Sequence, residues 1–200
     1  AEAICSWLPM ATPNKGTDSN FLADIDAGSA TDVWSVGKYR SGGVVENPLS
    51  VHFNGVAWTL VKTPNPTGDS WLNAVDALPH GTAWAVGSSM EPDFTHSSLR
   101  MLWNGTRWVV GKAPRKEPAE ADLNDVLAIS PTDVWAIGTS GSKGLVEHFD
   151  GTKWSMVRHP NPGTGSNWFG ALGRVPGSKQ IWVVGSYAGP PTQEALALRW

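Results

Sequence analysis

Apolar and polar positions alternate along short runs of this chain, and the runs recur with a period near 50 residues. The clearest run is Val33-Trp34-Ser35-Val36-Gly37. It returns as Ala83-Trp84-Ala85-Val86-Gly87, Val134-Trp135-Ala136-Ile137-Gly138 and Ile181-Trp182-Val183-Val184-Gly185, with tryptophans 50, 51 and 47 residues apart. Period-two runs bounded by Gly, Pro, Asn and Asp predict strands and turns. The first whole repeat predicts four strands: residues 21–27 innermost, then 32–36, 49–53 and an outer strand over 57–62. Residues 38–48 are read as a variable loop. Asn54-Gly55, with Asn104-Gly105 and Asp150-Gly151 in later repeats, predicts two-residue hairpins whose residues both tolerate positive φ.

A second tryptophan series stands at Trp58, Trp108 and Trp154, each with a proline six residues on, at Pro64, Pro114 and Pro160. The missing fourth member is at the other end of the chain, as Trp7 with Pro13. The repeat is therefore circular: the first residues finish what the last residues begin. Antiparallel four-stranded sheets stacked around an axis make an all-β propeller. The expectation is a single four-bladed β-propeller domain over 1–200. Its repeats run at about 20–65, 70–115, 121–161 and 167–200, the last completed by 1–13. A strand over residues 4–10 would pair with the C-terminal strands and close the ring, hiding two open edges. Two chains joined as an eight-bladed ring, or a piece of a longer propeller, are the alternatives. Three aromatic rows would fill the space between blades. These are the two tryptophan series together with Phe53, Trp103, Phe149 and Trp200.

Composition narrows the function classes. Of 200 residues, 22 are Gly, 15 Pro and 12 Trp, which suits strands and tight turns. Charged residues are sparse at 16% and the net charge is −3, so nothing here favours nucleic acid, which needs clustered Lys and Arg. No apolar run approaches the length of a membrane span. The chain starts at Ala1 without an initiator Met, as a mature secreted protein or a trimmed chain would. One cysteine, Cys5, excludes an internal disulfide framework and is read as a buried thiol.

The strings Thr132-Asp133-Val134-Trp135-Ala136-Ile137-Gly138, Glu147-His148-Phe149-Asp150-Gly151-Thr152-Lys153-Trp154 and Pro160-Asn161-Pro162 give the repeat its fullest form. The pattern resembles a tryptophan-rich propeller repeat common in secreted and surface proteins of soil bacteria. The resemblance covers nearly the whole chain and implies the fold, not the function. The size is similar to that of four-bladed haemopexin-type domains, without a sequence match to them. The WD40 and sialidase repeat boxes are absent.

Residues that break the repeat point to function. Trp71 and Trp168 belong to neither tryptophan series. Each follows a Pro-Asn-Pro loop and precedes an innermost strand. An indole beside polar groups suits carbohydrate, with Asn65 and Asp69 near Trp71, and Asn161 and Asn167 near Trp168; the alternative is that both rings lid the cleft between blades and touch no ligand. The main expectation is a non-enzymatic, lectin-like binding module with a glycan partner. A protein–protein interaction scaffold is the alternative, presenting the dissimilar loops 38–48 and 88–98, as monomer or dimer. A hydrolase or lyase with acidic residues at a channel mouth is the weakest reading, because no nucleophile elbow, zinc motif or phosphate loop is present. Asp24 and Asp125, on innermost strands, are the candidate pair for calcium or another hard cation in a central channel. Bonding to backbone amides is the alternative for them. His52 and His148 alternate between blades and are read as polar links from blade to blade.

Overall fold

The computed structural model describes residues 6–189 and 191–200. Fifteen strands succeed one another, with no helix among the described residues. The first sheet runs in the order β1 (Asn20–Ser29), β2 (Asp32–Tyr39), β3 (Asn47–Phe53) and β4 (Trp58–Val61). The second follows the same order with β5 (Ser70–Leu78), β6 (Thr82–Met90), β7 (His96–Trp103) and β8 (Trp108–Val110). The third has β9 (Ala121–Ser130), β10 (Asp133–Ser140), β11 (Lys143–Phe149) and β12 (Trp154–Met156). The fourth has three strands, β13 (Asn167–Arg174), β14 (Ile181–Gly189) and β15 (Thr192–Arg199). Each sheet is an antiparallel meander, a blade in the sense used below.

The motif glycine has a local cause. The innermost strand bulges between Leu22 and Asp24, and between Leu72 and Ala74. The same irregularity recurs where Gly138 and Gly185 pair. A Cβ on Gly37, Gly87, Gly138 or Gly185 would run into the carbonyl oxygen of Phe21, Trp71, Asp122 or Trp168. Only a residue without a side chain lets the bulged strand come this close.

The outer hairpins differ from expectation. Phe53 pairs with Trp58, Trp103 with Trp108 and Phe149 with Trp154, which leaves four residues in each loop instead of two. Only the glycines take positive φ, at 91° for Gly55, 90° for Gly105 and 88° for Gly151. The residue before each acts through its side chain. Asn54 Oδ1 accepts from the amides of Val56 and Ala57, and Asn104 and Asp150 do the same one and two blades on.

Adjacent blades pack face to face. Trp34 and Val36 of the first blade meet Leu72, Val75, Leu99, Met101 and Trp108 of the second. Trp84 and Val86 meet Leu123, Val126, Leu145 and Trp154. Trp135 and Ile137 meet Phe169, Ile181 and Val183. Polar latches run in one direction along the innermost strands. Asp24 and Asp26 accept from the amides of Val75 and Ala77, Asp76 from Ala128, and Asp125 from Leu172. Asn73 and Asn124 donate forward to the carbonyls of Leu123 and Phe169. The equivalent positions in β13 are Gly170, Ala171 and Gly173, so the last blade carries no such latch.

The second junction holds one buried ionic group. Arg100, 1% exposed, stands 3.2 Å from Glu147, which has no exposure, and 3.0 Å from Glu117. Burial pushes the Glu147 carboxyl up to about 7 against the pull of Arg100.

The expected ring closure is not what the described residues show. Residues 4 and 5 of the proposed closing strand, with Cys5, lie outside them. Residues 6–10 form no strand, and Trp7 and Leu8 are exposed. The aromatic rows accordingly hold inside the arc and fail at its ends. Trp34, Trp84 and Trp135 are 1%, 2% and 6% exposed, whereas Trp182 is 38% exposed. At the other end Leu22 and Ile25 are exposed, while their counterparts Leu72 and Val75 are buried. Packing joins β1 to β5, β5 to β9 and β9 to β13, and no comparable packing joins the fourth blade to the first. Each apolar face has a partner only where a neighbouring blade supplies one.

Candidate functional site

The antiparallel order brings the start of every innermost strand, the loop between second and third strands and the blade-to-blade linkers to one end of the sheets. Trp71 and Trp168 lie there, as the second residues of β5 and β13. They are strand residues, not loop residues. Lys38 Nζ lies 5.9 Å from the centre of the Trp71 ring, and His96 meets the ring edge-on at 5.5 Å. His96 Nδ1 is 3.2 Å from both carboxylate oxygens of Asp122. Ser88 Oγ also bonds to Asp122. On the other side Lys38 pairs with Glu46 at 3.3 Å, and Arg40 with the same carboxylate. A cation, an indole, an imidazole and a carboxylate thus run across three blades. Trp168 stands apart and is half exposed, its ring over Gly170, where a Cβ would collide with it.

The polar neighbours expected to hold a sugar are engaged with the scaffold. Asn65 donates to Asn47 and accepts from the amide of Gly68. Asp69 accepts from the amide of Glu46. Asn161 accepts from Gly144, and its amide meets His159. Asn167 is 2% exposed, accepting from Gly163 and donating to the carbonyls of Ser142 and Gly165. These side chains hold the blade linkers against the sheets.

The carboxylates of the innermost strands are spent largely on their neighbours' backbone. Asp24 accepts one amide bond from the next blade, and Asp125 accepts from Val126 and Leu172. Burial raises Asp125 to about 6, with the charge of Asp24 adding to it. Asp76 is pushed up to about 7 by burial, with the charges of Asp26 and Asp125 adding. Backbone bonding thus accounts for the position of Asp24 and Asp125. Among the described residues no group of three or more His, Cys, Asp or Glu side chains is arranged to hold a metal ion.

His52 and His148 act within a blade, which corrects the expected link between blades. His52 Nε2 lies 2.7 Å from Asp32 Oδ1, which also accepts from Trp34 Nε1. His148 repeats this with Asp133 and Trp135. Each imidazole packs on its tryptophan, with centroids 4.5 and 4.4 Å apart. Where Thr82 and Leu102 replace the acid and the histidine, Trp84 Nε1 has no hydrogen-bond partner among the described residues. This explains the two-blade alternation seen in the sequence. The pairing was hidden because Asp32 and His52 are 20 residues apart and only the register joins them.

No family model matches the chain, and no curated protein matches it. Among solved structures it is similar to YCF48 bound to D1 peptide, with a TM-score of 0.56 and 16% identity. The match covers 94% of this chain, which spans 60% of that one. YCF48 is a β-propeller. This chain has a propeller-like all-β fold. At that identity the likeness extends to the fold and no further. No helix among the described residues is long and apolar enough to cross a membrane.

Proposed function

We propose that this propeller is a non-enzymatic interaction scaffold that takes an extended segment of a protein partner across the face of Lys38, Trp71, His96 and Asp122. The carrying observation is the row itself: alternating cation, indole, imidazole and carboxylate at the loop-bearing end of rigid sheets. An extended chain presents backbone and side-chain groups at similar intervals, and loops on a rigid scaffold are where such contacts gather. The solved propeller with the same fold holds a peptide, which supports a protein partner over a glycan. The order of groups also supports a binding role. Asp122 sits between Ser88 and His96, so the hydroxyl bonds to a carboxylate and not to a base nitrogen, the reverse of a nucleophile's activation.

Selection from a displayed peptide library tests this. Enriched peptides should bind the wild-type chain and lose roughly ten-fold or more with Lys38→Glu or Trp71→Ala. The thermal midpoint should change little, because Lys38 and Trp71 are both only partly buried. Binding unchanged in both variants would place the site elsewhere. A second reading, sugar stacking, rests on the half-exposed indole of Trp168. A glycan array with and without calcium tests it. Its signal must vanish in Trp168→Ala, and calcium dependence must vanish in Asp125→Asn.

A further inference from the structure

Trp34 and Trp84 take the same pose between their blades, but only one of them has a partner for its N–H. Trp34 lies 4.7 Å from Trp103 and 5.2 Å from Trp108, with interplanar angles of 51° and 79°. Trp84 lies 5.0 Å from Phe149 and 5.5 Å from Trp154, at 54° and 82°. Matching poses turn the two N–H groups to the same place in the blade. In the first blade Asp32 Oδ1 fills that place, 3.0 Å from Trp34 Nε1 and 2.7 Å from His52 Nε2. In the second, Thr82 and Leu102 stand at the positions of Asp32 and His52. The indole N–H of Trp84, a residue 2% exposed, is left without an acceptor among the described residues. A buried donor with its bond unmade is costly, so this place calls for an acceptor from outside the chain.

Trp84 forms part of the wall of a cleft of about 640 Å³ between the outer strands of the second and third blades. Leu102, Phe149 and Trp154 continue its apolar side. At the first junction the corresponding cleft is smaller, about 400 Å³, and does not reach Trp34. Val61 lines that cleft, and Gly111 stands at the same position in the larger one. Lys112, Arg115 and Lys153 also line the larger cleft, and no carboxylate does, in a chain whose net charge is −3. The neighbouring carboxylates are engaged elsewhere. Glu117 and Glu147 pair with Arg100, and Asp150 accepts from the amides of Thr152 and Lys153. Apolar walls with a few polar groups, at this volume, are the ordinary make-up of a small-molecule site.

We infer that this cleft binds a small aromatic acid, whose carboxylate takes the place that Asp32 has in the first blade. One carboxylate oxygen accepts from Trp84 Nε1. Lys112, Arg115 and Lys153 supply the positive charge that a carboxylate leaving water needs. The aromatic body lies against Phe149 and Trp154, where ring-on-ring contact adds to burial. Leu102, only partly buried, turns aside to admit it. The site is separate from the peptide face proposed above. Along β5 and β6, Trp71 pairs with Ser88 near one end of the sheet, and Asp76 pairs with Trp84 toward the other.

Calorimetric titration with naphthylacetate, and with its neutral amide, tests the inference. The wild type should bind a single naphthylacetate per chain, and the amide roughly ten-fold more weakly. Lys112→Gln with Lys153→Gln should weaken naphthylacetate by a similar factor and leave the amide unchanged. Both lysines are exposed, so this variant keeps the fold. Thr82→Asp with Leu102→His installs the first blade's pair and gives Trp84 Nε1 its acceptor. It should abolish binding without lowering the melting midpoint. Trp71→Ala, which removes the peptide face, should leave naphthylacetate binding as it was. A wild type that takes up no naphthylacetate overturns the inference. So does equal affinity for acid and amide, or acid binding that the lysine pair of substitutions leaves intact, because the cations are then only a solvated rim. Binding that survives Thr82→Asp with Leu102→His in a folded chain overturns it as well, since the Trp84 N–H then takes no part.

Discussion

Trp84 and Trp182 hold the same place in the same five-residue motif, yet one is 2% exposed and the other 38%. Their strands have the same neighbours within the sheet and the same glycine at the bulge. What differs lies outside the blade: Leu123, Val126 and Trp154 cover Trp84, and among the described residues no blade covers Trp182. The motif therefore encodes half of an interface. Its contribution to stability belongs to the junction and not to the sheet that carries it, as expected of a repeat architecture.

Truncating the two residues gives the largest contrast. Trp84→Ala should cost about 3–5 kcal/mol by leaving a cavity between two blades. Trp182→Ala should cost less than about 1 kcal/mol in a dilute, single chain. Urea titrations of both variants measure this, and equal losses at low concentration would contradict the uncovered face.

The first and second junctions make a narrower contrast. In the first, the indole N–H of Trp108 donates to Ser50 at 3.0 Å. In the second, Arg100 stands in the place of Ser50, Trp154 Nε1 has no hydrogen-bond partner among the described residues, and the guanidinium lies 5.8 Å from that ring. Glu147→Ala leaves a buried cation with Glu117 alone and should cost about 3–5 kcal/mol by urea unfolding. Arg100→Met with Glu147→Leu should recover most of that, because the pair's mutual attraction does little more than offset its desolvation.

A further effect is one of pH. Asp76 holds its proton to about 7 in the folded chain, against 3.8 for the free side chain. At this group the folded state thus binds a proton that the unfolded state has released, so its contribution to stability is fully present below about 4 and is lost as pH rises to about 7. The limiting slope for one such group is about 1.4 kcal/mol per pH unit. Asp76→Asn keeps an acceptor for the amide of Ala128, removes this slope and is expected to be more stable than the wild type at pH 8. Thermal melts at pH 5 and pH 8 read the difference directly.

Much of this was legible in the repeat. The period, the four-strand order and the interior tryptophan rows follow from alternation and spacing, because a blade's own strands are local in sequence. The hairpin size was misjudged because Asn54-Gly55 is compatible with two loops, and only the side-chain bonds to Val56 and Ala57 select the longer one. The row of Lys38, Trp71, His96 and Asp122 was visible only through Trp71. Asp122 stands at the repeat position of Trp71 and Lys38 follows the motif glycine, but they meet through blade packing, which spacing within one repeat does not encode. The polar loop residues Asn65 and Asn161 looked free because their partners, Asn47 and Gly144, belong to other strands.

The one-way latches carry a consequence for how the molecule is made. Asp24 and Asp26 address amides of a blade that leaves the ribosome after their own, and Asp76 and Asp125 do likewise. Through the first three blades a nascent chain therefore ends on carboxylates that await the next blade, and each blade is completed in the order of synthesis. Gly170, Ala171 and Gly173 end that dependence: the fourth blade has no carboxylate at these positions to leave waiting.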